Sequence, residues 1–208
     1  MHSFWHEIIC NNSISTDDPD LVNKYDTTHL LTGAYFDTNS SYRYLLWRVW
    51  NKLQYTGYPV NENNPPAVVQ FIGLNPSTAD SLKNDNTVTR CINYAKAWGY
   101  DGMIMTNIFS YRATDPKDMK TVDDPIGPSN DYWLLEAHNH SKLTILCWGN
   151  HGSYRGRSEE VLKLLPHNLH FLKMTTQRQP YHPLYLNKKL KPLRWGSNFQ
   201  SMINETNT

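Results

Sequence analysis

Four short apolar runs, each closed by turn-forming residues, constrain this chain more than any other feature. They are residues 67–74 (AVVQFIGL), 102–109 (GMIMTNIF), 142–148 (KLTILCW) and 169–174 (LHFLKM). Runs of this length bounded by Gly, Asn or Pro read as buried strands. The segments between them carry a helical rhythm. In 87–98 the apolar residues fall at Val88, Cys91, Ile92, Ala95 and Trp98, with Asp85 or Asn86 placed to cap. Residues 129–140 put Trp133, Leu134 and Ala137 on one face behind a Ser129 N-cap, and 158–165 form a short helix closed by Pro166. Such alternation predicts right-handed strand–helix–strand units and a mostly parallel sheet of about four strands. Upstream, 29–36 and 42–50 flank the turn-rich Asp37-Thr38-Asn39-Ser40 and predict an antiparallel hairpin. Residues 1–28 are polar and irregular and read as an arm, and 61–66 as a loop, which leaves 29–208 as a single α/β domain.

In parallel α/β sheets, ligands meet the loops that leave the carboxyl ends of the strands. The first run ends in Gly73-Leu74-Asn75-Pro76-Ser77-Thr78, where Gly permits close approach and Pro fixes the turn. Asn75 then carries an amide at a rigid position, able to orient a water or simply to satisfy a tight turn. The second ends in Thr106-Asn107-Ile108-Phe109-Ser110-Tyr111. An amide among apolar residues must pair with backbone or with a ligand, and its donor and acceptor together suit the edge of a base. The third ends in Trp148-Gly149-Asn150-His151-Gly152, a tight loop whose N–H groups suit an anion or only a turn. The fourth is followed by Gln179-Pro180-Tyr181-His182-Pro183-Leu184, where two prolines hold His182 in a loop able to donate a proton or hydrogen bond.

Bulk properties narrow the class. A net charge of +1 by itself demands no polyanion, yet ten basic residues between Lys142 and Trp195 face only Glu159 and Glu160. That third of the chain suits a phosphate-binding face or an ordinary solvated one. The three cysteines, Cys10, Cys91 and Cys147, form no CxxC pair. His138-x-His140 and His167-x-x-His170 have no third ligand, so neither a metal nor a redox cofactor is expected. The opening MHSFWHEIICNN carries no basic leader before an apolar run, and no apolar stretch approaches a membrane span. The expected compartment is the cytoplasm; nothing in the sequence sets an oligomeric state.

The segments GLNPSTAD, NDNTVTRCINYAKAWGY, TNIFSYRATDP, CWGNHG and HPLYL resemble a family of short bacterial and viral proteins known as a domain of unknown function. More distantly the pattern resembles the uracil-DNA glycosylase superfamily. Gly73-Leu74-Asn75-Pro76 is similar to its first motif, Asn107 to its base-reading Asn, Cys147-Trp148-Gly149 to its Leu-Trp-Gly segment, and His182-Pro183 to its closing His-Pro-Ser. Leu184 stands where Ser is usual, Ser77 where Gly is common, and Asn75 where the most active branch has Asp.

This resemblance implies a three-layer α/β/α fold and an enzyme that breaks the N-glycosidic bond of a pyrimidine or modified base in DNA. Asn75 would hold the attacking water and His182 would donate to the departing base. Asn107 would read the base, with Phe109, Tyr111 or Trp148 stacking on it. Ser77, Thr78, Arg155 and Arg157 would meet phosphates, and Leu184 and Tyr185 would wedge into the vacated stack. Two other functions fit the same residues. One is a transferase or lyase acting on a modified base or nucleotide, since an amide at 75 is a poor base. The other is a non-catalytic nucleic-acid or nucleotide-binding module.

Overall fold

A computed structural model describes Phe4 and residues 31–50, 65–77, 79–80, 83–165 and 167–196. The expected arm over 1–28 lies outside these residues apart from Phe4, as do the start of the hairpin, most of the 61–66 loop, Thr78 and Pro166.

The strands are β1 (Leu31–Phe36), β2 (Arg43–Val49), β3 (Val68–Gly73), β4 (Gly102–Asn107), β5 (Leu143–Leu146), β6 (Leu169–Phe171) and β7 (Leu193–Arg194). The helices are α1 (Asn86–Ala97), α2 (Pro116–Met119), α3 (Asn130–Asn139) and α4 (Arg157–Leu164). All seven strands form one sheet in the order β1-β2-β4-β3-β5-β6-β7. The inner four, β4-β3-β5-β6, are parallel to one another, as the four apolar runs predict. The whole sheet has seven strands and is mixed, which corrects the expectation of a mostly parallel sheet of about four strands. The hairpin extends the sheet, because β2 pairs antiparallel with β4 from Leu46↔Met105 to Val49↔Gly102. At the far edge β7 pairs antiparallel with β6.

Alternation along β3 explains how the helices are held. Val69 and Phe71 join Val88, Cys91, Tyr94 and Ala95 of α1 in one cluster. On the opposite face Val68 packs with Trp133 and Ala137 of α3, and Ile72 with Leu134 of α3 and Val161 of α4. With helices against both faces, β3 buries every residue, and each large apolar side chain so buried contributes about 2 kcal/mol. The polar Gln70 is tolerated because its amide is fully employed. Its Nε2 donates to Thr106 Oγ1 (3.0 Å) and Leu134 O (3.1 Å), and its Oε1 accepts from Thr144 Oγ1 (3.0 Å).

Capping is partly as expected. Asp85 caps α1, its carboxylate accepting from the Val88 N–H at 2.8 Å. Ser129 stands at the N-cap of α3 but makes no capping bond. Phe4 is buried against the hairpin cluster and stacks on His140 with ring centroids 4.4 Å apart. Among the described residues no helix is long and apolar enough to cross a membrane.

Candidate functional site

The chain leaves β3 toward the α1 face and leaves β5 toward the α4 face. Diverging connections open a crevice between the carboxyl ends of neighbouring strands. A cavity of about 890 Å³ lies there. Its wall takes Gly73–Asn75 from the end of β3, Asn107 from β4, residues 148–151 beyond β5, His182 and its neighbours beyond β6, and the first turn of α1.

Backbone bonds between loops fix the first part of this wall. Ile108 N–H donates to Gly73 O (3.0 Å), Phe109 N–H to Leu74 O (2.9 Å) and Ala113 N–H to Pro76 O (2.9 Å). Asn75 is clamped in the same lacing, its Nδ2 donating to Ala113 O (2.7 Å) and Pro76 O (3.1 Å). Its Oδ1 has no partner among the described residues and is the acceptor the side chain has left. Asn107 lies over Gly73: a Cβ at residue 73 would stand 2.8 Å from Asn107 Oδ1. The glycine of the first motif therefore makes room for the amide of the second. Asn107 is only 3% exposed, and its buried Nδ2 has no hydrogen-bond partner among the described residues.

The other half of the wall is laced in the same way. Gly149, at φ 71°, donates its N–H to Pro180 O (2.8 Å), and Trp148 Nε1 donates to Gln179 Oε1 (2.7 Å). These bonds bring the His182 loop against the Trp148 loop. From the α1 side Arg90 Nη2 donates to Leu184 O (3.3 Å) and Tyr94 Oη to Asn187 O (2.8 Å). Burial lowers the His182 pKa below its ordinary value, with Asp85 partly opposing the shift, so the imidazole is neutral at pH 7. Tyr185 sits at the rim, 78% exposed, with its ring centroid 6.2 Å from that of His182. Cys147 is no nucleophile, since burial pushes its thiol up to about 12.

Of the residues predicted for the site, Asn75, Asn107, Trp148, His182, Ser77, Leu184 and Tyr185 line this one cavity. Four others do not. Phe109 is fully buried beneath the wall beside Tyr154, and Tyr111 pairs with Tyr42 in a bridge. Arg155 turns outward, donating to Asp123 O (2.9 Å). Arg157, 2% exposed, is occupied by Ile108 O (2.9 Å), Asp131 and Glu160. Two charged residues of the wall carry no strand-end signal in the sequence. Arg43 begins β2, and Asp85 reads there as a helix cap alone. Among the described residues no group of His, Cys, Asp and Glu side chains could hold a metal.

Fold and site together define an α/β protein with a cavity, lined by both polar and apolar groups, at the switch point of its parallel strands. The chain belongs to the family described as a protein of unknown function, DUF1643, whose profile matches residues 43–184. That match runs from the start of β2 through the cavity-lining Leu184. No curated protein and no solved structure gives a significant match.

Proposed function

We propose that the cavity holds a nucleobase and that the protein breaks the N-glycosidic bond of a pyrimidine or modified base in DNA, as the resemblance to uracil-DNA glycosylases implies. The observation that carries this reading is convergence: the amides of Asn75 and Asn107 and the imidazole of His182 share one cavity of about 890 Å³. An unpaired, buried Asn107 Nδ2 is a donor in want of an acceptor, and a pyrimidine carbonyl offers one.

The chemistry follows from these groups. As the C1′–N bond breaks, its electron pair leaves with the base and the sugar becomes cationic. Water adds to C1′ and releases its proton to solvent, and the departing base is finally protonated. Neutral His182 donates a hydrogen bond to the base oxygen where negative charge gathers, a contribution of about 3 kcal/mol in the transition state. Asn75 Oδ1 accepts from the attacking water and orients it. Trp148 and Tyr181 flank the base in the wall, while Leu184 and the exposed Tyr185 stand where a wedge would enter the stack.

The test uses oligonucleotides carrying uracil, hydroxymethyluracil or bulkier modified pyrimidines. Abasic sites are the expected product, and Asn75→Ala and His182→Ala should each abolish them. Full activity in both variants would discard this site. Because residue 75 supplies an amide instead of a carboxylate, a transferase or lyase acting on the same base is the second reading. A mass change without base loss would select it, and salt-sensitive binding with no product would indicate a binding module.

A further inference from the structure

Two arginines on β2 are almost fully buried, and they are treated very differently. Arg48, 1% exposed, spends its whole fork. Nε donates to Asn84 Oδ1 (2.8 Å), Nη1 to Trp47 O (2.8 Å) and Gly33 O (3.3 Å), and Nη2 to Asp80 O (2.7 Å). The side chain of Arg43, 2% exposed, makes one hydrogen bond among the described residues, from Nη1 to Ala79 O (2.7 Å). Its Nε is buried without a partner, and no ion pair reaches it among the described residues. Burial lowers its pKa to about 10, which still leaves it a cation at neutral pH. A buried cation short of partners is costly unless an anion completes it.

Arg43 lines the same cavity as Asn86 and Thr87 of the first turn of α1. The leading N–H groups of a helix have no partner within it and favour negative charge. Asp85 also faces the cavity and is the acidic neighbour acting most on Arg43, but its Oδ1 is occupied by the Val88 N–H. Size points the same way. A cavity of about 890 Å³ is far larger than one heterocycle and suits a ligand of several linked groups.

We propose that Arg43 and the first turn of α1 form a phosphate subsite of this cavity, so that its ligand is a whole nucleotide with the base at Asn107 and a phosphate at Arg43. This deepens the nucleobase reading and rests on it for the position of the base. It also moves the phosphate contact away from Arg155 and Arg157, whose guanidinium groups are engaged elsewhere. The phosphate is the shared chemistry; a free nucleotide or a DNA strand could bring it.

Calorimetric titration at low salt, with thymidine, deoxyuridine, their 5′-monophosphates, inorganic phosphate and a short single-stranded oligonucleotide, tests the subsite. The monophosphates should bind at least about tenfold tighter than the nucleosides, as one charge-assisted contact provides, and added salt should erode the advantage. Arg43→Gln should abolish that advantage and leave nucleoside binding intact. Should Arg43→Gln fail to fold, Asp85→Asn keeps a capping side chain while removing the competing negative charge, and should tighten the monophosphate but not the nucleoside. Equal affinity for nucleoside and monophosphate overturns the subsite and leaves the base reading standing. Arg43-dependent binding of inorganic phosphate without any nucleoside binding upholds the subsite and removes the base reading. Arg43-dependent binding of the oligonucleotide but not of the monophosphate upholds it with the strand as the source. No binding in any arm overturns both.

Discussion

The packing of Asn107 over Gly73 can be tested without any ligand. In Gly73→Ala the new Cβ would stand 2.8 Å from Asn107 Oδ1, about 0.6 Å inside the 3.4 Å at which ordinary contact begins. The next neighbour, Met105 Sδ at 3.7 Å, is already at ordinary distance, so the conflict is with Asn107 almost alone. Asn107 is 3% exposed and has little room to retreat. Overpacking at such sites costs about 1–3 kcal/mol, and a single short contact places this one near 1–2 kcal/mol. Asn107→Ala removes the oxygen that Gly73→Ala would strike. In that background the same alanine should be neutral or slightly stabilising, since Ala is favoured over Gly within a strand by about 0.5–1 kcal/mol. The two changes should therefore couple by about 2 kcal/mol. Urea unfolding of the wild type, both single variants and the double variant, followed by tryptophan fluorescence, gives the cycle directly. An equal cost for Gly73→Ala in both backgrounds would refute the packing, and with it the placement of the Asn107 amide.

Burial lowers the pKa of both His182 and His138, so the folded protein binds fewer protons there than the unfolded chain does. Stability held above pH 6.5 should fall as the pH drops through the depressed folded values, and His182→Gln with His138→Gln should flatten that decline in urea midpoints. Asp85→Asn should lower the His182 pKa further, because Asp85 is the charge opposing burial; an imidazole NMR titration that does not move would place Asp85 too far away to act. Arg157→Ala should cost about 1–2 kcal/mol by removing one of the two donors to Ile108 O and the partner of two half-exposed carboxylates, yet leave nucleotide affinity unchanged, as isothermal titration would show. A loss of affinity with intact stability would return Arg157 to the site.

The inner strands were legible because a strand covered on both faces must be apolar throughout. Residues 67–74 and 102–109 therefore announce β3 and β4 with only small errors at their ends. The α1 helix was legible from its spacing and from Asp85 as its cap. The loops that build the cavity could be picked out because Gly, Pro and Asn at the strand ends fix turns wherever they occur. By contrast β7, two exposed residues beside a proline, has no period to detect, and the four-residue α2 is equally short. The hairpin was visible as a hairpin, but its pairing with β4 joins residues more than fifty positions apart, which no local pattern encodes.

By itself, then, the order of residues determined which segments bury themselves and which turns carry polar side chains, since burial and turn geometry act over a few neighbouring positions. It fixed Asn75, Asn107 and His182 as amides and an imidazole at strand ends. Only the tertiary structure decided that Arg43 from an outer strand and Asp85 from a helix cap stand in the same wall, and that Arg157 is spent on Asp131 and Glu160. The reason is physical: a side chain's charge is written in its type, but its partners are chosen by packing, and packing joins distant parts of the chain.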